Sequence, residues 1–160
     1  MILVTVGMQL GFDRLIAAMD ALARDLDEEV VAQTGKGTYT PRHMEARASI
    51  APGEFEQLVT RSKVIVSHAG IGTVLTAQRM SRPIVLMPRR ANLGEHRNDH
   101  QLATVDKLAM RSGIFVAMDE SELAARIADG LAASDTASHP SPSVERLHRS
   151  LARFIETGRL

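Results

Sequence analysis

The chain has no cysteine, no tryptophan and no net charge. Without cysteine it forms no disulfide, thiolate metal site or cysteine nucleophile, which suits a reducing compartment. Lysine and arginine together number 19, as do aspartate and glutamate, so no broad basic surface for nucleic acid is expected. One tyrosine and four phenylalanines, scattered along the chain, give no platform for stacked bases. No apolar run approaches the roughly 20 residues needed to cross a bilayer. The opening residues Met1 to Gly7 carry no basic leader and read as a first strand rather than a signal segment, so a cytoplasmic location is expected.

What is present is a regular alternation. The 160 residues, 44% of them hydrophobic, suit one domain with a real core. β-rich runs near 2–6, 29–33, 46–50, 63–67, 83–87 and 114–117 alternate with helical periodicity near 12–25, 53–61, 72–81, 97–111, 120–133 and 142–157. Leu15, Met19, Leu22 and Leu26 show the three-and-four spacing that lays one helix face on a sheet. This order predicts an α/β fold: a doubly wound, mostly parallel, six-stranded, Rossmann-like sheet. Pro52 marks a helix start, Gly113 a helix end, and Asp119 with Glu122 a capped start. The stretch 133–143, rich in Ser, Pro, Asp and Thr, reads as a flexible loop. Beyond it, Val144, Leu147, Leu151, Phe154 and Ile155 form an apolar stripe that either docks on the sheet or meets a partner.

The chemistry concentrates at strand ends. Ser67-His68-Ala69-Gly70-Ile71-Gly72-Thr73 joins an apolar strand to a helix. A helix N-terminus presents free N–H groups and positive dipole to an anion, and glycines clear the approach. His68 is either a buried, hydrogen-bonded residue or one that faces phosphate. Gly7 and Gly11 after the first strand either permit a tight turn or form a second close-approach loop, and their spacing is not that of a dinucleotide fingerprint. Gln33-Thr34-Gly35-Lys36-Gly37 lacks the spacing of a P-loop but sits where ligands meet open α/β sheets. Arg89 and Arg90 either neutralise phosphate or an acidic partner, or are solvated surface charges. His96 and His100, four apart, are spaced to share a metal, but no third ligand is evident in the sequence, so none is expected.

Taken in order, Val4 to Gly7, Gln33 to Gly37, Ser67 to Thr73, and Pro88-Arg89-Arg90 with Glu95 to Gln101 resemble the C-terminal, donor-binding half of family 28 glycosyltransferases. The resemblance covers nearly the whole chain and is nearest to the stand-alone small subunits of the family. It implies the C-terminal half of a GT-B fold that binds a UDP-sugar, without metal or other cofactor. A membrane-associated partner subunit would supply the catalytic base and a lipid-linked saccharide acceptor, for an inverting hexosyl transfer in polysaccharide or exopolysaccharide synthesis. The chain would then sit at the inner face of the membrane through that partner. In this scheme the diphosphate lies at Gly70, Ile71, Gly72 and Thr73, near Gly7, Thr34 and Gly35, with His68 and Arg89 stabilising the leaving group. The uracil meets main-chain groups around Ile50, and the sugar faces Glu95, Asn98, Asp99, His100 and Gln101. The family's single-chain members grip the ribose with a glutamate where this chain has Thr76.

Overall fold

The computed structural model describes residues 1–137. Its elements run β1 (Ile2–Thr5), α1 (Asp13–Ala23), β2 (Val30–Gln33), β3 (Glu45–Arg47), α2 (Pro52–Arg61), β4 (Val64–His68), α3 (Ile71–Arg79), β5 (Ile84–Met87), α4 (His100–Leu108), β6 (Ile114–Val116) and α5 (Glu120–Ala137). The strands order as β3-β2-β1-β4-β5-β6, and every pairing is parallel. Chain order reverses between β1 and β4, so a crevice opens beyond the carboxyl ends of those two strands.

Period-two alternation divides the core. Ile2, Val4, Val64, Val66, Val85 and Met87 face α1 and α5, packing on Leu15, Ile16, Met19, Leu123 and Ile127. Leu3, Val31, Ile65, Ile84 and Leu86 face the other way, onto Leu58 and Val59 of α2, Val74 and Ala77 of α3, and Val105 and Leu108 of α4. Strands β1, β4 and β5 are apolar on both faces because both faces are covered.

Three boundaries depart from the sequence expectation. β3 is only Glu45–Arg47, a short charged edge strand, and residues 48–50 turn away so that Ile50 enters the core. Helix α4 begins at His100 rather than 97, because Glu95 and Asp99 hold the preceding turn by accepting the backbone N–H groups of Arg90 and Ala91. Helix α5 runs on through Ala137, so residues 133–137, expected as loop, are helical. The rest of that stretch and the expected helix at 142–157 lie outside the described residues. The start of α5 is a capping arrangement: Asp119 accepts from the Ser121 N–H and Glu122 from the Met118 N–H.

The long link from β2 to β3 is held from α1. Asp13 accepts the Thr38 N–H and hydroxyl at 2.9 and 2.6 Å. Buried Asp20 accepts from the Arg42 and His43 N–H groups and the Tyr39 hydroxyl. Burial works against the Asp20 charge, but these donors together keep its carboxyl below the usual range.

Candidate functional site

A cleft of about 480 Å³ opens at the β1/β4 switch. One wall is the β1–α1 loop, Val6 to Leu10. The other comprises His68, Ala69, Gly70 and Ile71 at the end of β4, and Arg89, His96, His100, Gln101 and Thr104 complete the lining. Among the described residues no carboxylate lines it.

The imidazole of His68 lies between two glycines. A Cβ on Gly7 would stand 2.9 Å from its Cε1, and one on Gly70 would stand 2.3 Å from its Nε2, inside contact distance in both cases. Gly7 also has φ of 75°, which a side chain would resist. Gly70 therefore clears space for the histidine ring as much as for any ligand. Gly72, expected at the diphosphate, lies just outside the cleft lining at the second position of α3, and nothing among the described residues lies within 4 Å of a Cβ placed on it.

Burial, and then the neighbouring Arg89 charge, push the His68 pKa down to about 4, against a hydrogen bond to the Thr5 backbone. His68 is neutral at pH 7 and presents a hydrogen-bonding ring rather than a charge to the cleft. The folded pKa lies below the unfolded value near 6.5, so the unfolded chain binds the extra proton between them. Stability from this group is full above about pH 6.5 and is lost as pH falls toward 4. Chemical denaturation is expected to show about 1–2 kcal/mol less stability at pH 5 than at pH 7.5. In His68→Asn that slope flattens.

Arg89 is not a surface charge. It is 4% exposed, and its guanidinium donates to the carbonyls of Val6, Leu10 and Gly11 at 2.8, 2.9 and 3.3 Å. It lies 5.1 Å from the centre of the Phe12 ring, while Arg14 stands 5.3 Å from the same ring. The Arg89 Nη2 thus braces the β1–α1 loop while the residue also lines the cleft. Arg90 donates to the Met118 carbonyl.

The polar cluster after β5 divides. His100 and Gln101 reach the cleft, whereas Glu95, Asn98 and Asp99 do not. Glu95 was expected at the sugar, but Arg14 grips it through Nε–Oε1 at 2.6 Å and Nη2–Oε2 at 2.8 Å, and it also accepts the Arg90 N–H. Asp99 caps Ala91, and Asn98 accepts from His100. The Gln101 side-chain oxygen accepts from both Ala69 and Arg89 N–H groups, at 3.2 and 3.0 Å, tying the ends of β4 and β5 together. His96 and His100 meet edge to face with ring centroids 4.4 Å apart. Among the described residues no third ligand joins them into a metal group.

Thr34, Gly35 and Ile50 also lie outside the cleft lining. The Thr34 hydroxyl donates to the Arg47 carbonyl, and the Ile50 side chain is in the core. The glycines of that loop serve packing of backbone on backbone. A Cβ on Gly35 would stand 2.8 Å from the Gly7 carbonyl oxygen, and one on Gly11 would stand 2.6 Å from the Gly37 Cα. Thr73 lies in the first turn of α3 beside the cleft rather than in it, and the Thr76 hydroxyl donates to the Gly72 carbonyl. Met8, Gln9, Leu10, His96 and Thr104 line the cleft without having been assigned to it from sequence. The glycine pair flanking Met8 to Leu10 was the available signal for that wall; for Thr104, one turn after His100, there was none.

A doubly wound parallel sheet with a cleft at its switch point is an α/β, Rossmann-like domain with its candidate site where such sheets receive ligands. The chain belongs to the glycosyltransferase family 28 C-terminal domain family, which matches residues 1–145. It is similar to the UDP-N-acetylglucosamine transferase subunit ALG13 of Cryptococcus neoformans var. neoformans serotype D, in strains JEC21 and B-3501A. Identity is 38% over 69 residues, and the match spans 42% of this chain and 32% of those relatives. In fold it is similar to the calicheamicin glycosyltransferase CalG4, at 18% identity and TM-score 0.53, covering 95% of this chain and 43% of that one. The spinosyn forosaminyltransferase SpnP gives 20% identity and TM-score 0.54, covering 94% and 43%. The architecture is the Rossmann-like C-terminal half of a GT-B glycosyltransferase. No helix among the described residues is long and apolar enough to cross a membrane.

Proposed function

We propose that this chain is the donor-binding subunit of a two-component, inverting hexosyltransferase, holding a UDP-sugar while a membrane-associated partner presents a lipid-linked saccharide acceptor. The observation that carries the reading is the cleft itself: it offers hydrogen-bond donors and positive charge for a diphosphate, and among the described residues no carboxylate lines it. The curated relatives that the chain resembles are named as a transferase subunit, which supports a division of labour.

In the reaction, the acceptor hydroxyl attacks the anomeric carbon as the bond to the diphosphate oxygen breaks. UDP leaves against the N-terminus of α3, with His68 as a neutral hydrogen-bonding neighbour and without metal. The hydroxyl proton passes to a base on the partner. The role in polysaccharide or exopolysaccharide synthesis, and a place at the inner membrane face, follow from such an acceptor.

Gly72→Ala provides the test. With open space at its Cβ and a helical position, the substitution is expected to raise folding stability by about 0.5–1 kcal/mol. Gly72 follows the cleft-lining Ile71 at the start of α3, where the diphosphate is proposed to seat, so isothermal titration is expected to show UDP affinity lowered about tenfold. Wild-type protein that binds no UDP, alone or with its partner, would falsify the reading. Sugar transfer by the purified chain alone would instead make it self-sufficient, and UDP binding without transfer in the presence of the partner would make it a sensor or scaffold.

A further inference from the structure

Each βαβ unit of a parallel sheet returns its helix to the amino edge of the strands, so α2, α3 and α4 all end on one face of that edge, opposite the cleft. Their turns share one level. Ile65, Ile84 and Ile114 are register partners across β4, β5 and β6, and the Ile84 N–H donates to the Gly113 carbonyl. Lys63 and Arg82 thus lead into neighbouring strands at the same height, and the Arg82 Nη2 reaches the Thr60 carbonyl at the end of α2, at 2.5 Å. Exposed Arg61, Lys107 and Arg111 flank them at the ends of α2 and α4.

Carboxylates are scarce at this corner. Glu56 is taken by Arg79, and Glu28 by Lys63 and the Met1 amine, while Asp106 stands on α4. Among the described residues Arg61, Arg82, Lys107 and Arg111 form no ion pair, and the buried Arg82 Nε has no hydrogen-bond partner. A helix C-terminus carries about half a negative charge, which favours one cation there but does not cancel this many. The acidic turn Asp25 to Glu29 leads into β2, three strand spacings or about 14 Å from β5, beyond the screening length of about 8 Å at physiological salt. A chain of zero net charge therefore keeps a basic corner. Within it Met110, between Lys107 and Arg111 in sequence, is 94% exposed.

We propose that this corner docks on an anionic lipid bilayer, its cations meeting phosphate headgroups and Met110 entering the headgroup layer. Met110 favours a bilayer over a dissolved phosphate, which offers methionine no place out of water. The corner lies at the opposite end of the sheet from the cleft, so docking leaves the cleft open. The inference does not depend on the nucleotide reading.

The experiment is flotation of the whole chain with vesicles of phosphatidylcholine alone, or of equal parts phosphatidylcholine and phosphatidylglycerol, at low salt. The wild type is expected to partition at least about tenfold more to the anionic vesicles. Lys107→Gln with Arg111→Gln lowers that partitioning about twentyfold, near fivefold for each cation at the surface, and Met110→Ser lowers it about threefold. Lys36→Gln with Arg42→Gln removes the same charge from the exposed β2–β3 link and leaves partitioning within about twofold. All these side chains are exposed, so thermal melting of each variant is expected to match the wild type. Equal partitioning of the wild type to both vesicles overturns the proposal, as does a Lys107/Arg111 variant that loses nothing or no more than the Lys36/Arg42 variant. Glycerol phosphate in excess, at matched ionic strength, is expected to leave the protein on the vesicles; its release would assign the corner to a free anion and overturn the bilayer reading. Should a variant fail to fold, the two vesicle types still decide with the wild type.

Discussion

Glu95→Ala is expected to lower stability by about 3 kcal/mol and to depress the melting temperature by about 6–12 °C. The side chains of Arg14 and Glu95 are only 15% and 12% exposed, so removing the carboxylate leaves a largely desolvated guanidinium with its main partner gone. Glu120 remains on Arg14 at 3.0 Å, but its side chain is 45% exposed and offsets little. The Arg90 N–H also loses its acceptor, which loosens the turn ahead of α4. Urea denaturation reads the effect directly. An unchanged midpoint with lost UDP-sugar binding would return Glu95 to the sugar, where the sequence alone had placed it.

Gly70→Ala is expected to reduce nucleotide affinity at least tenfold while the chain stays folded. Its backbone, φ −92° and ψ 125°, is open to any residue, so the substitution carries no backbone strain. The added methyl falls 2.3 Å from the His68 Nε2, and Gly7 closes the opposite side of the ring, so the imidazole must leave its slot toward the cleft. There it occupies ligand volume. Titration with UDP, set beside circular dichroism, separates this from unfolding. Wild-type affinity in a folded Gly70→Ala would show that the ring can move without cost to the site.

These two residues show where local sequence was informative and where it was not. The strands of the centre were legible because apolar runs of four or five residues, bounded by Gly and Pro, have few other uses. The switch-point crevice followed from their order, and the glycine turn after β4 was visible as a change of period. The partners of Glu95 were not legible. Arg14 lies 81 positions away and meets it only because α1 and the β5–α4 segment flank the same strand ends. Arg89 was ambiguous for the same reason: dipeptide context does not distinguish a solvated arginine from one threaded beneath a loop 78 to 83 residues earlier. The glycines of the β2–β3 link looked like a ligand cradle because sequence shows that a side chain is absent, not what fills its place.

The side-chain oxygen of Gln101 has a mechanical consequence. Ala69 and Arg89, both in the cleft lining, donate their backbone N–H groups to this single atom, and Gln101 follows His100 in the first turn of α4. The two strand ends and the helix are thus sutured at one point. Any shift of the first turn of α4 therefore bears on both strand ends at once, and not on one wall alone.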